Sequence, residues 1–146
     1  MNDDLIQGDL FGGPIRADSN QLETEEEVAV TKSGFNIFTI TEAIAKRDKK
    51  TAWLLFEKAL ASGLTPEEIF WKVVWQVKAL LVAKNTANAM EAEMKEWPYS
   101  KAKANLKNYK EGELEDMSRT LVVGYHEARR GGVEIESLLA KFILNL

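Results

Sequence analysis

Residues 63–83, GLTPEEIFWKVVWQVKALLVA, decide the fold class of this chain. Thr65 is a preferred N-cap residue, Pro66 suits the first helical position, and Glu68 completes a capping box. The helix predicted over Thr65–Ala83 has one apolar face, formed by Ile69, Val73, Val77, Leu80 and Leu81. Much of the remaining circumference is also apolar, through Phe70, Trp71, Val74, Trp75 and Val82. A helix that is apolar nearly all round lies at the centre of a fold or at an interface.

Helical periodicity extends over residues 35–146, on both sides of this central helix. Asp48 is a suitable N-cap for the preceding helix, and Gly63 is a suitable end for it. Further along the chain, Pro98 and Gly131–Gly132 mark additional helix boundaries. The sequence has no pair of alternating β-branched runs of the kind that form a sheet. We therefore predict an all-α bundle of about six helices.

The predicted helices differ in how clearly their buried faces can be assigned. Residues 85–97 predict a weak linking helix, after which Pro98 restarts the chain. The helix that follows Lys110 is predicted to bury Leu114, Met117, Leu121, Val122, Tyr125 and Ala128. The final helix is predicted to bury Ile135, Leu138, Leu139, Phe142, Ile143 and Leu146.

Residues 1–34 differ in composition from the helical domain. They contain eight acidic residues against two basic ones and few apolar residues. Such a segment cannot offset the entropy cost of its own ordering, so we predict an acidic disordered tail. The start, Met1–Asp4, is acidic and not basic as in a secretory signal, and no apolar run is long enough to span a membrane. These features predict a cytoplasmic protein.

The composition excludes several classes of chemistry. The chain has no cysteine and one histidine, His126, which excludes thiolate metal sites, disulfides and multi-imidazole centres. It has neither the phosphate-binding loop of ATPases nor a nucleophile elbow. We interpret Glu113, Glu115 and Asp116 as a solvated helix N-terminus and His126 as an ordinary helix residue. We therefore expect no catalytic residue, no metal site and no cofactor.

Two surfaces remain as candidates for binding. The apolar surface in excess of what a monomer needs to bury predicts subunit contacts through Phe70, Trp71, Val74, Trp75, Leu138 and Phe142. The alternative is a stand-alone DNA-binding module that uses the Lys101–Lys110 face. Its contacts to phosphates would come from Lys101, Lys103, Lys107, Arg129 and Arg130. The helical part, with 17 basic and 15 acidic residues, has a net charge of only +2, which favours a solvated face over this alternative.

An ordered series of short motifs resembles one known family. Phe35–Phe38 is followed by Arg47–Trp53, a Gly-x-x-Pro turn at Gly63–Pro66, and Gln76–Leu81 in the pattern Gln-x-Lys-x-Leu-Leu. Trp97–Lys103 then adds an aromatic-Pro-aromatic step before an Ala-Lys-rich helix. In this order the motifs resemble the C-terminal domain of the delta subunit of the bacterial DNA polymerase III clamp loader. The resemblance covers residues 35–146.

The resemblance implies a role in assembly. In that family this domain packs in a helical collar with the motor (gamma/tau) and delta-prime subunits. The delta subunit hydrolyses no ATP and opens the sliding clamp through an N-terminal ATPase-like region, which this sequence lacks. We therefore expect a non-catalytic DNA replication protein with a collar-like domain over 35–146, able to dock with clamp-loader subunits but not to open a clamp.

The predicted tail contains a second motif. Gln7–Phe11 resembles the clamp-binding pentapeptide Gln-Leu-(Ser/Asp)-Leu-Phe, with Gly8 in place of the leucine. Adjacent apolar side chains on an extended segment can insert into a pocket while a glutamine makes polar contacts. A binding segment would use Gln7, Asp9, Leu10 and Phe11. A chance match is the other interpretation.

Overall fold

The computed structural model describes residues 34–146, and Ile37–Leu146 form one compact unit within them. The predicted acidic tail and the Gln7–Phe11 motif lie outside the described residues. The unit is all-α, as predicted. The described residues contain no strand and seven helices: α1 Phe38–Ala45, α2 Lys49–Ala61, α3 Pro66–Lys84, α4 Ala89–Ala92, α5 Glu96–Asn105, α6 Glu113–Arg129 and α7 Ile135–Leu144. A 3-10 turn, Leu106–Asn108, follows α5.

The central position predicted for α3 is confirmed, since it packs against α1, α4, α5, α6 and α7. Its start is the predicted capping box. The Thr65 backbone N–H donates to Glu68 Oε2 at 2.8 Å, and the Glu68 backbone N–H donates to Thr65 Oγ1 at 3.2 Å. Gly63 ends the preceding turn with φ of +97°, a left-handed conformation that a residue with a side chain adopts at a cost. These local capping signals determine where α3 begins, and α3 is the helix against which the core packs.

The structure corrects two predicted boundaries near the middle of the chain. The linking helix predicted over residues 85–97 is only Ala89–Ala92, because Asn88 caps its start and Glu93 ends it in a left-handed conformation with φ of 55°. Helix α5 begins at Glu96, two residues before Pro98. A proline is tolerated there because the first-turn N–H groups have no partner within a helix.

Helices α6 and α7 approach closely where a glycine faces a leucine. A Cβ atom built on Gly124 would lie 2.4 Å from Leu138 Cδ1, so only glycine allows this packing without displacement. Gly124 therefore belongs to the inward face of α6, together with Leu114 and Leu121. The prediction that Val122 is buried is wrong: it is 53% exposed, because the inward face of α6 passes through Gly124.

Polar side chains join the corner between α1 and α2 to the start of α6. We name Arg47, Asn108, Tyr109 and Glu113 the polar latch. Arg47, with φ of 60°, donates through Nη2 to Glu113 Oε2 at 2.8 Å and through Nη1 to the Asn108 carbonyl at 3.2 Å. Asn108 in turn donates to the Ala45 carbonyl at 3.1 Å, and the Tyr109 hydroxyl donates to the Ile44 carbonyl. Burial raises the pKa of Tyr109 to about 12. The latch fixes segments that are more than 60 residues apart in sequence.

Candidate docking surface

The outer face of α3 carries a stripe of residues that the fold leaves uncovered. Trp71, Trp75, Lys78 and Val82 follow one another at intervals of four, three and four residues, which places them on one side of a helix. We name these four residues the tryptophan stripe. Trp71 is 50% exposed, Trp75 is 45% exposed, and Val82 is partly buried. Large aromatic side chains are thus presented to solvent by the most central helix of the domain.

Aromatic neighbours on two other helices hold the tryptophans in place. The Trp71 ring centroid lies 5.0 Å from that of Tyr125 on α6, and Tyr125 stacks on Phe70 at 5.5 Å. Trp75 meets Phe38 of α1 edge to face at 6.5 Å. Contacts of this geometry add to the stability gained from burial alone. Both rings are therefore ordered before any partner arrives, which lowers the entropy cost of binding.

A shallow groove borders the stripe on the side of α4. It has a volume of about 230 Å³ and is lined by Trp75, Lys78, Ala79, Val82, Ala92, Glu93 and Met94. This volume is smaller than that of a typical small-molecule pocket and suits one or two side chains. Its walls are mostly apolar, with one lysine and one glutamate. The groove extends the apolar surface of the stripe.

The predicted set of six partner-binding residues is divided by the structure. Trp71 and Trp75 are exposed, and Val74 beside them is partly buried. The prediction of exposed apolar surface is wrong for the other three, because Phe70 is 2%, Leu138 8% and Phe142 6% exposed. Phe70 is covered by Tyr125, and the apolar face of α7 packs against α2, α3 and α6. Lys78 and Val82 were not predicted as contact residues, although their spacing from Trp71 could have indicated them.

The predicted DNA-binding set does not form one surface. The Lys103 ammonium donates to the carbonyls of Ala83 and Thr86 at 2.9 and 2.8 Å, so it caps the end of α3. Arg129 donates to the Tyr125 hydroxyl at 3.1 Å near the end of α6. A 17-residue helix is about 25 Å long, which separates Arg129 and its neighbour Arg130 from the latch at the start of α6. Lys107 is exposed.

The acidic cluster at the start of α6 is occupied by ion pairs. Glu113 binds Arg47, and its pKa falls to about 2 because its carboxylate accepts hydrogen bonds from the Arg47 side chain and from the Lys110 backbone N–H. Glu115 lies 2.8 Å from Lys84 Nζ, which lowers its pKa. Asp116 pairs with Arg119 at 2.7 Å. Each of the three carboxylates is therefore paired with a basic side chain.

Residues 34–146 contain no group of three histidine, aspartate or glutamate side chains that could hold a metal ion. None of their helices combines the length and apolar composition that a membrane-spanning helix needs. His126 is exposed on α6, with its ring 6.2 Å from that of Tyr125. Comparisons of the chain with protein-family models, curated proteins and solved structures find no match.

Proposed function

We propose that this chain is a non-catalytic assembly domain of a DNA polymerase III clamp loader, of the delta C-terminal type. Its partners would be the motor (gamma/tau) and delta-prime subunits. The motif series over residues 35–146 supports the family, and the all-α bundle agrees with a collar-like domain. The proposed role is binding without catalysis.

The single observation that carries the proposal is the exposure of Trp71 and Trp75 on one face of α3. Tryptophan is the residue most enriched among those that dominate binding energy at protein interfaces. The intervals of four and three residues along the tryptophan stripe match the seam along which a second helix packs. A partner helix with aliphatic side chains on one face would cover the two indole rings, and an acidic residue on it would pair with Lys78.

The test is co-purification of the full chain with the motor and delta-prime subunits at physiological salt. We expect one complex in size-exclusion chromatography, and we expect the double variant W71A/W75A to raise the Kd by about 30-fold or more. The matched control is Trp97→Ala, because Trp97 is 53% exposed on α5, outside the stripe. Elution of the wild-type chain and the subunits as separate proteins would contradict the proposal, and so would an equal loss in both variants.

A second contact, with the sliding clamp, is proposed for Gln7, Asp9, Leu10 and Phe11. The resemblance of this segment to the clamp-binding pentapeptide is its only support. We expect the full chain to bind the isolated clamp weakly, because Gly8 replaces an apolar contact residue. The double variant L10A/F11A should abolish that binding and leave assembly with the motor subunits unchanged. Clamp binding that survives this change would contradict the assignment.

A further inference from the structure

The corner between α1 and α2 gathers basic residues from two distant segments. Lys46, Lys49 and Lys50 flank the corner, and α5 brings Lys101 to it. The Glu42 carboxylate links the two segments, since it lies 3.2 Å from Lys46 Nζ and 3.7 Å from Lys101 Nζ. We name Lys46, Lys49, Lys50 and Lys101 the corner lysines. The sequence-based set contains only Lys101 of these four.

The carboxylates at the corner orient the ammonium groups without neutralising them. Asp48 accepts a hydrogen bond from the Thr51 backbone N–H as the N-cap of α2. Its pKa is lowered first by its hydrogen bonds with Thr51, and Lys50 and Lys46 lower it further. The corner therefore carries four lysines and only two carboxylates, and the Lys46 side chain remains 60% exposed. Arg47 adds no charge to this surface because it binds Glu113 in the latch.

An exposed aromatic ring lies directly beside Lys101, one of the corner lysines. Trp97 is one helical turn before Lys101 on α5, and Lys101 Nζ lies 4.6 Å from the centre of its ring. Trp97 is nevertheless 53% exposed. Clustered cations next to an exposed aromatic side chain are the combination that binds single-stranded nucleic acid, because phosphates pair with the cations while an unpaired base stacks on the ring.

We propose that the corner lysines and Trp97 bind the backbone of single-stranded DNA, with one base stacked against the indole. Lysines alone would bind the phosphates of a duplex equally well. The exposed indole favours a single strand, because bases in a duplex are already stacked and paired. The inference uses neither the tryptophan stripe nor the clamp-loader resemblance, so it holds or fails separately from the proposed function.

The experiment measures binding of the full chain to a fluorescein-labelled oligothymidylate of about 16 nucleotides by anisotropy, over a salt series starting at about 50 mM. Each cation that pairs with a phosphate of a single strand contributes about −0.7 to the slope of log K against log salt. Four corner lysines predict a slope of about −3. The variant K46A/K50A should reduce its magnitude by about 1.4.

The matched control is R129A/R130A, which removes the same charge at the far end of α6. It should leave the slope unchanged. Trp97→Ala should weaken binding about ten-fold with no change in slope, because stacking is insensitive to salt, whereas Trp71→Ala should have no effect. Far-UV circular dichroism verifies that each variant is folded.

Several outcomes would overturn this inference. The first is no binding at the lowest salt, and the second is an equal loss in K46A/K50A and R129A/R130A, which would reflect net charge alone. A third is equal affinity for a duplex together with no effect of Trp97→Ala. Lysine-dependent binding to phosphatidylserine vesicles without binding to the oligonucleotide would assign the surface to a membrane and equally overturn it.

Discussion

The two faces of α3 use similar residues for opposite purposes. On the inner face, Phe70 and Val77 are almost fully buried among the other helices. On the outer face, Trp71 and Trp75 are about half exposed, although Trp71 is adjacent to Phe70 in sequence. The difference arises from packing and not from hydrophobicity, because Phe70 lies among the packed helices whereas Trp71 and Trp75 each keep about half of the side chain in water. Apolar surface in this domain therefore divides into a buried part that stabilises the fold and an exposed part that we propose for docking.

The largest expected effect is a difference in stability loss between alanine substitutions at the adjacent positions Phe70 and Trp71. Phe70→Ala should lower the free energy of unfolding by about 3–5 kcal/mol, because it leaves a cavity in the core. Trp71→Ala should lower it by about 1 kcal/mol or less, since half of the side chain is already in water. Urea denaturation followed by circular dichroism measures both. Equal losses in the two variants would remove the distinction between the faces of α3.

The next effect concerns α6, whose Tyr125 supports Trp71. Gly124→Ala should cost about 1–2 kcal/mol of stability, because the new methyl group displaces the Leu138 side chain and the higher helix propensity of alanine recovers only part of that loss. The same denaturation experiment measures it. The double variant G124A/L138A is the control. It should be more stable than L138A alone, because the alanine methyl group then fills part of the space that the Leu138 side chain leaves. A fully neutral Gly124→Ala would mean that α7 is not closely packed here.

A third variant should lower the stability of α3 as a whole, with no difference between its buried and exposed faces. Thr65→Ala removes the capping box and should cost about 1 kcal/mol, whereas Thr65→Ser should retain most of the stability. Affinity for the motor subunits that we propose as partners should change little for either variant, because the tryptophan stripe remains in place. A large selective loss of affinity in Thr65→Ala would link the helix start to docking and contradict the separation of roles.

The smallest effect depends on pH and concerns a polar contact, in contrast to both faces of α3. The pKa of Glu113 in the folded protein is about 2, below its ordinary value of 4.5. The folded state therefore favours the ionised carboxylate, so this stabilisation is present above pH 4.5 and is lost as the pH falls toward 2. Glu113→Gln should be less stable at neutral pH and should lose less stability than the wild type across that interval. Parallel curves of urea midpoint against pH would contradict this.

The sequence predicts the local features of the fold well. Thr65, Pro66 and Glu68 give the start of α3, Asp48 gives the N-cap of α2, and Gly63 gives its end, because capping depends on residues within a few positions of each other. Pro98 was misleading because a proline fits the first turn of a helix as well as a boundary. The all-α class follows from the same local signals.

The candidate sites depended on contacts that no local pattern contains. Phe70 and Trp71 are adjacent aromatic residues that both contact Tyr125, and only the packing of the whole bundle leaves Phe70 buried and Trp71 half exposed. The Lys103 ammonium donates hydrogen bonds to carbonyls at the end of α3, which lie 17 to 20 residues earlier in the sequence. Lys101 likewise joins the other corner lysines only because the tertiary structure brings its Nζ atom to 3.7 Å from Glu42 of α1. Spacing along one helix predicted the tryptophan stripe in part, whereas the basic surface required the tertiary structure.

The placement of the indole rings has a spectroscopic consequence. Three of the four tryptophans, Trp71, Trp75 and Trp97, are about half exposed in the folded domain. The emission maximum of the native protein should therefore lie close to that of the denatured chain, so intrinsic fluorescence is a poor monitor of unfolding. The same property makes it a sensitive monitor of complex formation, since a partner that excludes water from these rings should shift their emission to the blue.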